Sequence, residues 1–213
     1  MKGLLLKEYY MTLKYCRLFL LIVAVFFVVS FWADDTVFLM AYPLVMIGMI
    51  PVTLLAYDEK ERWTLYSLTL PCTRSQMVSS KYLYGMLVEL IAWLLATAVQ
   101  TVKLFQDPFF TIHEYLFLLA AMFLLGFIGP SLILPIIIRF GTEKGRIIYI
   151  FVFVVLGVTV LNSEGFGPGT KLSAAIAFLL NHQWLYALLI IAALIIYGIS
   201  WGISILLYQS KEV

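Results

Sequence analysis

Residues 115–146 read YLFLLAAMFLLGFIGPSLILPIIIRFGTEKGR: residues 115–138 run without a charge and then meet Arg139, Glu143, Lys144 and Arg146 in quick succession. A bilayer core of about 30 Å takes roughly 20 helical residues, so this stretch has the length and the abrupt polar edge of a transmembrane helix. Five more apolar runs lie along the chain. Residues 18–33 stop at Asp34-Asp35, 37–57 at Asp58-Glu59-Lys60-Glu61-Arg62, and 82–102 at Lys103; residues 147–161 and 184–208 complete the set. The composition agrees, with 63% apolar and only 12% charged residues among 213, against roughly 45–50% and 25% in a soluble domain. So few charges cannot cover a water-soluble globule. The expectation is an all-α membrane protein of six transmembrane helices, one transmembrane domain over residues 1–213, with no space for a soluble enzyme domain.

Lys and Arg set the orientation. With the N-terminus inside, Lys2, Lys7, Lys14, Arg17, Lys60, Arg62, Arg74, Lys81, Arg139, Lys144, Arg146 and Lys211 fall on the cytoplasmic side, which is 12 of the 14 bases, and only Lys103 and Lys171 fall outside. Both termini are therefore expected in the cytoplasm. The first span follows 17 charged, amphipathic residues and lacks an A-x-A-like cleavage site, so it reads as a retained anchor. A net charge of +2 without a dense basic run gives no nucleic-acid footprint. Cys16 and Cys72 both fall near the cytoplasmic face, where thiols stay reduced.

Two spans depart from the simple pattern. Residues 147–161 are short, about 22 Å of helix. After the turn-rich residues 162–169 comes a nine-residue apolar run, 172–180, readable as a re-entrant helix in the outer leaflet or as an interfacial helix in the external segment 162–183. The fourth span carries Gly126, Gly129, Pro130 and Pro135. Proline removes a backbone hydrogen bond, so a kink is expected there, serving as a hinge or simply allowing close packing beside glycine.

Residues 1–17 form an amphipathic interface helix. At 100° per residue, Leu5, Leu6, Tyr9, Leu13 and Cys16 share one arc while Lys7, Lys14 and Arg17 gather opposite, so the bases are expected at lipid phosphates. Residues 58–81 form the longest cytoplasmic piece. Asp58 and Arg62 are spaced as an i, i+4 pair, and Trp63, Tyr66 and Leu70 make an apolar face on a short helix that Pro71 stops. Thr73-Arg74-Ser75-Gln76 matches a capping box and starts the helix that runs into the third span. The Trp63 face suits docking of a cytoplasmic partner, or it lies on lipid.

Glu89 is the intramembrane acid, roughly 10 Å into the third span. An ionised carboxylate at that depth is costly, so Glu89 should face protein or water, be partnered, or be protonated. It is a candidate for a cargo contact or gating hydrogen bond, or for a packing hydrogen bond to a neighbouring Tyr, Ser or Thr. His113, Glu114 and His182 on the outer side have no metal-ligand spacing. No catalytic motif and no nucleotide-binding G-x-x-x-x-G-K-[ST] appears, so the chain is expected to have no catalytic residues, cofactor or metal of its own.

The layout and two local segments resemble a known family. Residues 57–60 with 68–74 and Lys81-Tyr82-Leu83 are similar to its acidic run followed by "slP-x-s/t-R" and "sKy", and residues 135–146 are similar to "P-l-i-x-k/r-F-G-x-e-K-g/a-R". These resemble the membrane subunits of ABC type-2 exporters with the type V fold, in the small Gram-positive-type permease group that includes exporters of cytolytic and antimicrobial peptides. The resemblance implies a transmembrane subunit forming the pathway for a hydrophobic or amphipathic cargo, with the peptide a candidate, in a bacterial cytoplasmic membrane. It also implies two copies of a separate ATPase that binds ATP and magnesium, and a second permease chain, identical or a sister. Asp58, Glu59, Glu61, Arg62, Trp63 and Tyr66 would then belong to the ATPase-coupling element. The competing reading is a membrane immunity protein that binds a toxic peptide and needs no ATPase.

Overall fold

The computed structural model describes residues 2–30, 32, 36–67, 69, 71–106, 112–143, 147 and 184–210. Its helices are α1 (Lys2–Tyr15), α2 (Arg17–Val29), α3 (Thr36–Gly48), α4 (Ile50–Lys60), α5 (Trp63–Ser67), α6 (Arg74–Gln106), α7 (Ile112–Phe140) and α8 (Trp184–Gln209), and there is no strand among the described residues. Among the described residues four segments are long and apolar enough to cross a membrane: Leu39–Lys60, Arg74–Val102, Tyr115–Phe140 and Trp184–Gln209. A fifth is obtained if α1 and α2, which meet at an angle of 75°, count as one broken span. Alone, the 13 residues of α2 rise only about 20 Å. The expected fifth span, the 162–169 turn and the 172–180 helix lie outside the described residues, as do Lys144, Arg146, Lys171, His182 and the side chains of Lys103, His113 and Glu114.

Local sequence explains where the helices start and stop. The capping box forms as its residue types dictate: Thr73 N–H donates to Gln76 Oε1 at 3.1 Å, and Gln76 N–H to Thr73 Oγ1 at 3.3 Å. The second span is two helices, broken at Met49, because Pro51 takes the first turn of α4, where its missing N–H does least harm. α7, by contrast, runs on through Pro130 and Pro135.

Packing follows the apolar faces. α7 and α8 form the most extensive helix pair, α3 lies against α2, α6 and α7, and α1 reaches across to α6 and α4. One core gathers Val23, Phe27, Met40, Leu44, Ala92 and Ala96. The other gathers Tyr82, Phe127, Leu134, Ile137, Ala193 and Tyr197.

α1 buries a face that carries an acid. Its buried stripe is Leu4, Glu8 and Thr12, continued by Cys16 at i, i+4 spacing, while Leu6, Tyr9 and Leu13 point outward. Lys14 and Arg17 are exposed, as expected of interface bases, but Lys7 is not given to lipid: it pairs with Asp58. Cys16 is buried, Cys72 half-buried, and both are free thiols.

Candidate functional site

Asp58 and Glu59 close α4 rather than open a new helix, and acids at a helix C-terminus are unfavourable unless cations answer them. Asp58 is answered twice, by Lys81 of α6 and by Lys7 of α1. Lys81 Nζ also reaches Glu8 of α1, at 2.8 Å from Oε1 and 2.9 Å from Oε2, and Lys7 Nζ lies 3.5 Å from Glu8 Oε1. Two acids and two bases thus close a neutral ring that joins α1, α4 and α6. The Glu8, Asp58 and Lys81 side chains are 1%, 8% and 8% exposed, so the charges are satisfied by one another and not by water. Lys7 is half-buried, with its ammonium 4.1 Å over the Trp63 ring. Burial lowers its pKa, Lys81 lowers it further, and Glu8 and Asp58 oppose both.

The expected Asp58–Arg62 pair does not form. α4 ends at Lys60, and Arg62 adopts φ 53 in the left-handed region, which turns the chain and carries its side chain outward. The other acids of the run are also engaged within the chain. Glu59 Oε2 accepts the Thr142 N–H at 2.9 Å, holding the chain just past Gly141, whose φ of 84 ends α7. Glu61 accepts from the Tyr15 hydroxyl at 2.8 Å, and the Tyr15 ring stacks on Tyr57 with centroids 4.2 Å apart. This junction presents Lys60, Glu61, Arg62 and Tyr66 outward, the last 59% exposed on α5 with its ring 5.3 Å from that of Trp63. Leu70 lies outside the described residues. A cavity of about 100 Å³ sits under this loop, walled by Leu4, Asp58, Trp63, Lys81, Ile137 and Tyr208. Six helices therefore meet at one charged end of the bundle.

A second polar cluster lies between α6, α7 and α8. The Tyr82 hydroxyl bridges Ser200 Oγ at 2.8 Å and Ser204 Oγ at 2.7 Å, and Tyr197 donates to Tyr82 O at 2.7 Å. Pro135 has no N–H for the carbonyl four residues back, and Ser200 Oγ donates to that carbonyl, Ser131 O, at 2.6 Å. Ser200→Ala is expected to cost about 1–2 kcal/mol, because it strands a buried carbonyl. A lower melting temperature of the detergent-solubilised chain would show it, and an unchanged one would contradict it.

Glu89 is 2% exposed where α3, α6 and α7 cross. A Cβ placed on Gly126 would lie 2.0 Å from its Oε1, so Gly126 leaves the space its carboxyl occupies. Gly129 has open space beside it among the described residues. The sequence reading missed Glu8 and did not bring Lys7 and Lys81 together. Its available signal was the Leu4, Glu8, Thr12, Cys16 spacing, a stripe that places an acid on the buried face. Among the described residues no three His, Cys, Asp or Glu side chains converge as metal ligands.

The family model described as "ABC-2 family transporter protein" matches residues 3–209. No curated protein matches the chain. With nearly its whole length matched, and with four or five membrane-crossing helices in the described bundle, the chain belongs to the ABC-2 transporter family as a multi-pass membrane subunit of an ABC transporter.

Proposed function

We propose that this chain pairs with a second permease to form an outward pathway for a hydrophobic or amphipathic cargo, an amphipathic peptide being the class favoured. A separate ATPase, present in two copies, binds ATP and magnesium and drives it. Residues 58–70 are the coupling element, α1 lies in the cytoplasmic interface, and both termini are cytoplasmic in a bacterial membrane. The observation that carries this reading is the charged junction: the loop is tied by Asp58 to α1 and α6 and by Glu59 to the end of α7. A push on Arg62 and Tyr66 is thereby transmitted to three long elements at once. A loop that only connected two spans would not need to be tied into three buried charges and a half-buried one. The apolar exposed faces of α2, α6 and α8 suit lipid and a second permease.

The test is affinity co-purification in mild detergent from native membrane and cytosol, with an Arg62→Ala, Tyr66→Ala variant alongside. An ATPase should accompany the native chain. Truncating an aromatic or arginine anchor costs about 2 kcal/mol at an interface centre, so the variant should bind at least about 30-fold less ATPase. Absence of any ATPase from a complex that retains other partners would contradict the proposal.

A further inference from the structure

Among the described residues Glu89 is the charged-type side chain that the ion-pair ring leaves unused in the interior of the bundle. Its Oε2 has no hydrogen-bond partner among the described residues, although the residue is 2% exposed. Around it the backbone is opened on purpose. Pro130 has no N–H, so the Gly126 carbonyl lacks the usual donor four residues on in α7. That carbonyl points at Gly48, where an added Cβ would lie 3.0 Å from Gly126 O and 3.6 Å from Glu89 Oε2. On the other side, an added Cβ at Gly126 would lie 2.0 Å from Glu89 Oε1. A buried carboxyl and a released carbonyl thus border the same glycine of α3, at the end of the helix that breaks before α4. Both are acceptors if the carboxyl is ionised, and neither can then satisfy the other. One proton on the carboxyl satisfies them together.

Among the described residues no base is at hand to hold a carboxylate instead. On α3 the titratable residue is Tyr42, six residues from Gly48, with its ring against Phe26. On α7 the nearest titratable residues, Tyr115 and Arg139, are eleven or more positions from Gly126, at least about 16 Å along the helix. On α4 Asp58, Glu59 and Lys60 lie at the far end, committed to the charged junction or facing outward. On α8 Tyr197 is near, but its hydroxyl proton goes to Tyr82 O at 2.7 Å. On α6 itself Lys81 is engaged by Glu8 and Asp58, and Tyr82 and Tyr84 precede Glu89 by one to two turns.

We propose that Glu89 is a proton-binding site inside the bundle, held as a neutral carboxylic acid whose O–H is donated to the Gly126 carbonyl that Pro130 releases. The bond pins α6 to α7 beside Gly48 of α3. A conformation that admits water to the crossing removes the reason for neutrality and releases the proton. This inference concerns the helix crossing alone and does not depend on the cargo or on the ATPase.

The test is infrared difference spectroscopy of the full chain in lipid nanodiscs, native minus Glu89→Gln, at neutral pH. The expected result is the carbonyl stretch of a protonated carboxyl, shifted downward in heavy water. Carboxylate bands in its place would overturn the proposal. The close approach is checked separately: Gly126→Ala should lose most of the folded, monodisperse protein, and adding Glu89→Ala should restore it by removing the overlapping carboxyl. A double variant no better than Gly126→Ala would likewise overturn the geometry on which the proposal stands.

Discussion

Lys81→Met is expected to destabilise the chain by about 3–5 kcal/mol, because it leaves two carboxylates facing one half-buried lysine. Lys81 is the buried cation that Glu8 and Asp58 share, and both acids are nearly closed to water. Methionine fills the same volume, so the loss measures charge and not a cavity. Adding Asp58→Leu should recover much of it, since the remaining Lys7 and Glu8, already 3.5 Å apart, can then neutralise one another. Thermal unfolding in detergent, followed by the fraction of monodisperse protein, reads both variants. A Lys81→Met chain as stable as the native one, or a double variant worse than the single, would contradict the ring.

Gly85→Ala is the second large effect. The added Cβ would lie 2.6 Å from Pro51 Cγ and 3.4 Å from the Tyr197 hydroxyl. A proline ring in the first turn of α4 cannot rotate aside, so α6 must move from α4, and the Tyr197 bond to Tyr82 O is disturbed with it. Overpacking of this kind costs about 1–3 kcal/mol, and the rigid neighbour places this site at the upper end. Gly129→Ala is the internal control. Nothing described lies within 4 Å of its added Cβ, so the change should be neutral or favourable by up to about 1 kcal/mol through helix propensity. Melting temperatures of the two alanine variants decide the matter; equal loss in both would contradict the packing at Pro51.

The long apolar runs at 37–57, 82–102, 115–138 and 184–208 were legible because a membrane span is written in consecutive residues, and the helices found there overlap them closely. The Thr73–Gln76 cap was legible for the same local reason. The charged junction was not. Lys7, Asp58 and Lys81 are 51 and 23 positions apart, and nothing in the spacing of one element says which residue of another will answer it. Asp58 and Arg62 had the right separation for a helix pair, but a left-handed Arg62 ends the helix that would have joined them. In α1 the acid Glu8, between Leu4 and Thr12, marked the side that is buried, and nothing in its own element named the lysines that answer it. Glu89 was visible as an acid in an apolar run, yet the glycine that makes room for it is 37 residues away in another helix.

The most direct measurement replaces Tyr66 with a photo-crosslinking amino acid in cells and identifies the adduct, with Trp184, 24 residues of helix away from the Tyr208 wall of the junction, as the control position. The account predicts an ATPase subunit joined at position 66 and none at position 184. Lipid or no adduct at position 66, in a chain that is folded and in the membrane, would contradict it.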